Sequence, residues 1–456
     1  MKELLKLCGF EEEEIKTEQP RIKKAFDKLG LNAADIEEGK RRLHQYYDIE
    51  LKGVRKAFRL CILEMVNGVL AREDGKKIIA GFMMPGFETI GTALVSNSKD
   101  VFAAHHSWAF FIIIGGVFGK MTPILEAAEK RWLKAGMVAH CANLKSTLGL
   151  VTLDMLPIPD LTLTSGFLCE TAPKTLDLLH EFYGSPVYSW DTCYDTGAVD
   201  DPEGEERSFE LAVKGLKRQI RKIEEIVGFQ VTDEMLWEAI EARKQFDDAI
   251  GRAQELIHSS DPLPLSPTHD NLWMCMSSVS FSIDTIPEAI DAANALYEEI
   301  KERVDKGEGV MPKGAPRVLG AVFAHHADPR LEHLARETGI ALMVAGTGSM
   351  IHYDGKRGDP YRALAKSWTG GLSASITSKI SGQIEQCKEM NIAGVLDRYH
   401  VGCRTVAGDA ILIENGLKKA GIPVLLLEWE NFDPRVYNHE EYKRRLEVFK
   451  SMMVKK

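Results

Sequence analysis

The chain has 456 residues, enough for roughly three compact units or for two units with an added helical segment. It carries 57 Lys and Arg against 67 Asp and Glu, a net charge of −10 that disfavours a nucleic-acid-binding protein, because phosphate backbones are held by clustered cations. Apolar residues make up 45%, an ordinary share for a globular protein. Composition therefore excludes a disordered chain, a collagen and a dense disulfide scaffold.

The N-terminal residues contain no long apolar segment. Met1–Phe10 is mixed in character and is followed by the acidic run Glu11–Glu14, so we expect no signal peptide. The most apolar stretch, Trp108–Gly119, has only 12 residues, too few to span a bilayer, and is predicted to be a buried strand or a core helix. We expect a cytoplasmic protein that binds no membrane.

Four regions are predicted in chain order. Residues 1–75 form an N-terminal helical segment, in which apolar residues between Lys40 and Leu70 recur at helical spacing. Residues 76–205 form a first α/β domain, residues 206–310 a charged helical insert, and residues 311–456 a second α/β domain. The predicted fold is therefore α/β, with two doubly wound domains of flavodoxin-like or Rossmann-like type.

Short apolar runs that alternate with helical patterns predict the strands. They are Ile78–Phe82, Leu161–Phe167, Pro186–Trp190, Arg317–Phe323, Ile340–Ala345, Ala393–Asp397 and Ile422–Glu428. The helices predicted between them are Lys174–Phe182, Pro329–Glu337, Ser375–Glu389 and Asp409–Lys419. Ligands of doubly wound sheets bind at the carboxyl ends of the strands, so the residues that follow a strand are the first candidates for function.

Eight cysteines carry most of the potential chemistry. In a cytoplasm they are expected to be reduced thiols, and no CxxC pair occurs, so a metal site would have to be assembled from distant parts of the chain. Cys169 and Cys403 each follow a predicted strand, and Cys141 lies near a predicted helix start, where the helix N-terminus favours a thiolate. These three rank highest, and Cys193, which also follows a strand, remains a candidate. The other cysteines are predicted to pack in the core: Cys8, Cys61, Cys275 and Cys387.

Other motifs are less specific. Gly346–Ser349 follows a predicted strand and is either a phosphate-binding loop or a tight turn, but it lacks the complete pattern of a P-loop or dinucleotide fingerprint. The pairs His105–His106 and His325–His326 would point to opposite faces of a strand, so neither pair is expected to bind one ion.

Short motifs follow one another in a fixed order from residue 77 to about residue 450. They are Pro85 with Glu88, Cys141 with Lys145 and Gly149, Gly166–Cys169 followed by Ser185–Val187, Ala393–Leu396, Cys403, Gly421–Leu425, Asp433–Arg435 and Arg445–Leu446. This ordered set resembles the 2-hydroxyacyl-CoA dehydratase / benzoyl-CoA reductase family. The Asp433–Arg435 sequence, DPR, is most similar to the larger, D-component-like subunits.

The resemblance implies an iron–sulfur enzyme. In that family three well-separated cysteines hold one [4Fe–4S] cluster between two α/β domains, and the matching residues here are Cys141, Cys169 and Cys403. It also implies a related second subunit, an acyl-CoA substrate and an ATP-dependent iron–sulfur activator protein that delivers single electrons. The implied reaction is a one-electron dehydration: the thioester carbonyl becomes a ketyl radical anion, which expels the 2-hydroxyl group, loses a β-proton and returns the electron.

Two residues are the candidates for catalysis beside the cluster. His400, three residues before Cys403, would support the cluster or transfer a proton. Glu88 is either a catalytic carboxylate or the carboxylate of a helix start.

Three other functions remain open. The chain could be a benzoyl-CoA-reductase-like subunit, or a homodimeric reductase of small molecules with a larger double-cubane cluster that recruits Cys193, Cys275 or Cys387. It could also be a non-enzymatic α/β binding module with reduced core cysteines. Iron content distinguishes them, because one cubane needs about four iron atoms, the fused cluster about twice that number, and the binding module none.

Overall fold

The computed structural model describes residues 1–82, 84, 86–105, 108–133, 140–166, 170–190, 202–321, 328–344, 353, 355–369, 376–430 and 432–454. Two four-stranded parallel sheets are embedded in a largely helical chain. The predicted α/β class with two doubly wound sheets is confirmed, while the exact domain boundaries stay a prediction.

The chain begins with helices, as predicted. They are α1 (Lys2–Leu7), α2 (Glu12–Lys28), α3 (Ala33–Tyr46) and α4 (Lys52–Leu70). Asn32 caps α3, since its side-chain oxygen accepts from the backbone N–H groups of Ala34 and Asp35. The apolar face of α4 is buried against the helices that follow the first sheet.

The first sheet has the strand order β2-β1-β3-β4. Its strands are β1 (Lys77–Phe82), β2 (Val101–His105), β3 (Leu161–Ser165) and β4 (Val187–Trp190). The helices of this part are α5 (Phe87–Asn97), α6 (Trp108–Phe110), a π-helix (Phe111–Val117), α7 (Met121–Trp132), α8 (Ala142–Thr152) and α9 (Thr171–Tyr183). The apolar stretch after residue 108 is thus helical, and the π-helix is fully buried.

No single helix among the described residues has both the length and the apolar character needed to cross a bilayer. The π-helix and α7 pass that test only as a pair, across a bend of 115°.

Four helices lie between the two sheets in the sequence, three long ones and the short α12. They are α10 (Pro202–Val227), α11 (Asp233–Ser259), α12 (His269–Ser278) and α13 (Ile286–Asp305). Thr232 caps α11, and Gly228, with φ of 82°, follows the end of α10. Helix α13 packs on α4 and α11, and α11 packs on α5, so these helices join the N-terminal segment to the first sheet.

The second sheet has the strand order β6-β5-β7-β8. Its strands are β5 (Arg317–Ala321), β6 (Ala341–Val344), β7 (Gly394–His400) and β8 (Val424–Trp429). The helices of this part are α14 (Arg330–Glu337), α15 (Pro360–Thr369), α16 (Ile376–Glu389), α17 (Arg404–Lys419) and α18 (His439–Val454), with a 3₁₀ turn at Pro434–Val436.

Two boundaries differ from the prediction in a way that matters for the site. Strand β7 continues to His400 instead of ending at Asp397, because its last residues remain paired with β8 up to the register of His400 and Trp429. Helix α17 begins at Arg404 instead of Asp409. Only two residues therefore separate the end of β7 from Cys403.

In both sheets the strand order reverses at one point, and such a reversal marks the usual ligand-binding crevice. The strand order reverses between β1 and β3 in the first sheet and between β5 and β7 in the second. In open α/β sheets, ligands bind in the crevice beyond the carboxyl ends of the strands at such a reversal. Two of the three ranked cysteines, Cys169 and Cys403, follow β3 and β7 in the sequence.

Candidate functional site

Cys141 and Cys403 occupy the same local position, immediately before the first residue of a helix. Cys141 is the N-cap of α8 and accepts the N–H of Lys145 at 3.0 Å through its carbonyl. Cys403 is the N-cap of α17 and accepts the N–H of Ala407 at 2.8 Å in the same way. Neither thiol caps its own helix. The partial positive charge of a helix N-terminus stabilises a thiolate at both positions.

The two cysteine-bearing loops are in contact. A Cβ built on Gly402 would lie 2.8 Å from the Cα and 3.2 Å from the Cβ of Cys141. Because Gly402 directly precedes Cys403, the fold brings together two helix N-termini that are far apart in sequence. The sequence predicted that distant cysteines converge, and for Cys141 and Cys403 the fold brings their loops into contact.

A carboxylate joins these loops. Glu430 follows β8, and its Oε1 accepts from the N–H of Ala142 at 3.1 Å while its Oε2 accepts from the N–H of Gly402 at 3.3 Å. Burial raises the pKa of Glu430, although the two N–H donors act in the opposite direction. Sequence reasoning missed this residue. Its one signal is that it lies two residues after the predicted strand Ile422–Glu428, and that position alone does not distinguish it from an exposed acidic residue.

Cys169 lies outside the described residues. On either side of it, β3 ends at Ser165 and α9 begins at Thr171. Among the residues that the structure describes, no group of three His, Cys, Asp or Glu side chains is placed to hold a metal ion. The three-cysteine set therefore stays a prediction.

His400 is the last residue of β7 and is 5% exposed. Its carbonyl accepts the N–H of Cys403 at 2.9 Å, so its backbone helps to fix the turn that carries the cysteine. The proposed role of its imidazole in proton transfer stays a prediction.

Glu88 lies in the first turn of α5, where it is almost fully buried beside the Nε2 of His105 at 3.6 Å. Burial opposes ionisation of this carboxyl, but His105 and the charge of Arg243 outweigh it, and the pKa of Glu88 lies below its ordinary value. In the described part of the chain, no hydrogen bond or ion pair links it to the cysteine-bearing loops. Its position fits a helix-start carboxylate, and its catalytic role stays a prediction.

The four cysteines predicted to pack in the core are buried: Cys8, Cys61, Cys275 and Cys387. The Sγ atoms of Cys61 and Cys275 are 3.7 Å apart. Burial raises the pKa of the Cys387 thiol to about 11 and raises that of Cys8 further. None of the six cysteines in the described ranges forms a disulfide, as predicted. Cys193 lies outside those ranges.

The less specific motifs gain no support. Gly346–Ser349, His106 and the pair His325–His326 lie outside the described residues. His105 is paired with Glu88.

Residues 105–453 match the family model described as 2-hydroxyglutaryl-CoA dehydratase, D-component. The chain belongs to this family. It is also similar to a benzoyl-CoA reductase subunit of Thauera aromatica, with 22% identity over 316 residues that cover 66% of this chain and 72% of that protein. The resemblance inferred from the ordered motifs is therefore confirmed. The matched range contains the cysteine-bearing loops and Glu430, whereas Glu88 precedes it.

Proposed function

We propose that this chain is the iron–sulfur subunit of a 2-hydroxyacyl-CoA dehydratase-like enzyme, with a [4Fe–4S] cluster held by Cys141, Cys169 and Cys403. The observation that carries the proposal is the contact between Gly402 and Cys141, which brings together the loops of two cysteines that each stand at the N-cap position of a helix. Thiolates are the ligands that such clusters require, so the donor chemistry fits. Family membership supports the same conclusion, because the family consists of dehydratase and reductase enzymes.

The residues of this chain would prepare the site in three ways. The N-termini of α8 and α17 favour ionised thiols at Cys141 and Cys403. The backbone of His400 holds the Cys403 turn, and its imidazole would accept or donate a proton beside the acyl group of the substrate. The bound cluster would supply a single low-potential electron and an open iron position that polarises a substrate oxygen.

The partners belong to the proposal as well. We infer a related second subunit, since the similar protein of Thauera aromatica is itself one subunit of its enzyme. An ATP-dependent iron–sulfur activator would deliver the electron, and the substrate would be a CoA thioester.

Metal analysis of anaerobically purified protein tests this assignment. We expect about four iron atoms per chain, and loss of the cluster in Cys141→Ala, Cys169→Ala and Cys403→Ala. Cys8→Ala changes a cysteine of the N-terminal helices and is the matched control, which should retain iron. Full iron content after two of the three ligand substitutions would refute the assignment, and about eight iron atoms would favour the double-cubane alternative.

The benzoyl-CoA-reductase-like function is the second candidate, favoured by the similarity to the Thauera aromatica protein. Turnover assays separate the two. A dehydratase converts a 2-hydroxyacyl-CoA to the unsaturated thioester and returns the electron, whereas a reductase consumes electrons and reduces an aromatic thioester.

A further inference from the structure

We propose that Glu430 is a positioning residue that, together with Arg435, sets the separation between Cys141 and Cys403. The two residues form what we call the latch: a carboxylate and a guanidinium that follow β8 and hold the α7–α8 pair. The part of this inference that concerns iron rests on the proposed function, whereas the part that concerns the two loops does not.

The first contact of the latch replaces a missing helix cap. The first N–H groups of a helix have no partner within the helix and are usually satisfied by an oxygen-bearing side chain at the N-cap. The N-cap residues here are cysteines, and neither thiol does this. Glu430 supplies the oxygen from elsewhere, with one carboxylate oxygen on the N–H of Ala142 and the other on the N–H of Gly402. One side chain therefore ties the start of α8 to the loop that precedes α17.

The second feature is a steric limit on the approach of the same loops. The Cβ of any residue other than glycine at position 402 would lie 2.8 Å from the Cys141 Cα and 3.1 Å from the Glu430 Oε2. The first of these atoms is backbone, so the loops would have to separate. Glu430 thus draws the loops together, and the absence of a side chain at Gly402 lets them meet.

The third feature is a second attachment, from Arg435 to α7, which limits rotation of α8 about its contact with Glu430. Arg435 donates two hydrogen bonds to Glu129 of α7, at 3.0 and 2.8 Å, and Asp433 orients its guanidinium at 2.8 and 2.6 Å. Glu129 also accepts from Lys145 of α8 at 3.4 Å. The segment after β8 therefore holds the α7–α8 pair at two points, one at the start of α8 and one on α7.

Substitutions at Glu430 should have graded effects. Glu430→Ala leaves both N–H groups without their acceptor and releases the loops. Glu430→Gln keeps the shape and one acceptor oxygen but turns an N–H₂ group toward the second N–H, so an intermediate effect is expected. Gly402→Ala separates the loops by steric contact. The matched controls are Glu428→Ala, which removes an exposed carboxylate of β8 two residues before Glu430, and Gly408→Ala, which adds a Cβ to α17 where no atom lies within 4 Å.

Two measurements on the full-length protein test the latch. The first is the rate at which a ferrous chelator removes iron from anaerobically purified protein. The second is hydrogen–deuterium exchange of the peptides that contain Ala142 and Gly402, measured with and without iron. We expect both rates to rise about tenfold or more in Glu430→Ala and Gly402→Ala, less in Glu430→Gln, and not at all in the two controls. Far-ultraviolet circular dichroism identifies any variant that fails to fold.

The latch is refuted if exchange and iron loss in Glu430→Ala match those of Glu428→Ala. If wild-type protein binds no iron, the proposed function fails, but exchange at Ala142 and Gly402 still decides on the latch. If the three cysteines hold iron and the Glu430 variants behave as wild type, the latch fails and the proposed function stands.

Discussion

Replacing Asp397 by Asn should make the protein more stable at alkaline pH, with little change at acidic pH. Asp397 lies on β7 with no exposed surface, and neither carboxylate oxygen has a hydrogen-bond partner within the described ranges. Burial raises its pKa to about 7, Arg398 opposes this shift, and Glu414 of α17 adds to it. In the unfolded chain the pKa returns to the ordinary value of 3.8.

The sign follows from proton binding. Between those two pKa values the folded state holds more protons than the unfolded state, so the free energy of unfolding falls as pH rises from about 4 to about 7. Each unit of pKa difference corresponds to about 1.4 kcal/mol. Between pH 5 and pH 8, ionisation of Asp397 lowers the free energy of unfolding of the wild type by the equivalent of roughly two pKa units. The Asp397→Asn variant has no ionising group at this position and loses none. The advantage of the variant should therefore grow by about 3 kcal/mol over this range.

Urea unfolding of the full-length protein at pH 5 and at pH 8, followed by tryptophan fluorescence, measures this difference. Trp429 is buried on the neighbouring strand β8, so its fluorescence reports on the same sheet as Asp397. Glu385→Gln removes an exposed carboxylate of α16 and serves as the control. An Asp397→Asn advantage that is equal at both pH values would refute the reasoning, because it would show that Asp397 does not titrate in this range.

Two further predictions concern packing and buried charge. Gly149→Ala places a Cβ 2.1 Å from the backbone oxygen of Ile124, so α7 and α8 must move apart, and thermal unfolding should show a loss of about 1–3 kcal/mol of stability. The control Gly251→Ala, with no atom within 4 Å of its Cβ, should lose none. Equal unfolding temperatures for Gly149→Ala and wild type would contradict this packing. Glu332→Ala leaves the buried guanidinium of Arg398 without the carboxylate that it contacts at 2.5 Å, and urea unfolding should show a loss of about 3–5 kcal/mol of stability. Glu332→Gln should lose less, because its amide oxygen still accepts a hydrogen bond. A loss below about 1 kcal/mol in Glu332→Ala would contradict the buried pair.

Features that depend on local sequence were predictable. The alternation of apolar runs with helical patterns located seven of the eight strands, because a buried parallel strand reads as a short apolar run between turn residues. The position of Cys403 after a strand and of Cys141 before a helix followed from the same pattern. Strand β2 was missed, since the run Val101–His105 contains only one β-branched residue and ends in a partly exposed histidine.

Features that depend on contacts between distant residues were not predictable. The side chain of Glu430 has no local pattern that distinguishes a loop-joining carboxylate from an exposed one, and its two partners lie in loops that only the fold brings together. Helix α12 was also missed, because it is short and lies between loops that are rich in proline and serine. The prediction ended β7 at Asp397, three residues before His400, because the ladder between β7 and β8 extends beyond the apolar part of the strand.

The charge at the meeting point of α8 and α17 explains why a carboxylate is found there. Each helix N-terminus carries a partial charge of roughly +0.5, and two that approach one another repel. The carboxylate of Glu430 accepts from the first N–H of α8 and from the N–H of Gly402, in the loop that leads into α17, so it places a negative group between the two positive ends. The thiols of Cys141 and Cys403 remain at the same positive ends without serving as caps. Ser, Asp or Asn is the usual N-cap residue where helix stability alone decides, so helix stability does not account for a cysteine at both positions, whereas the cluster that we propose would.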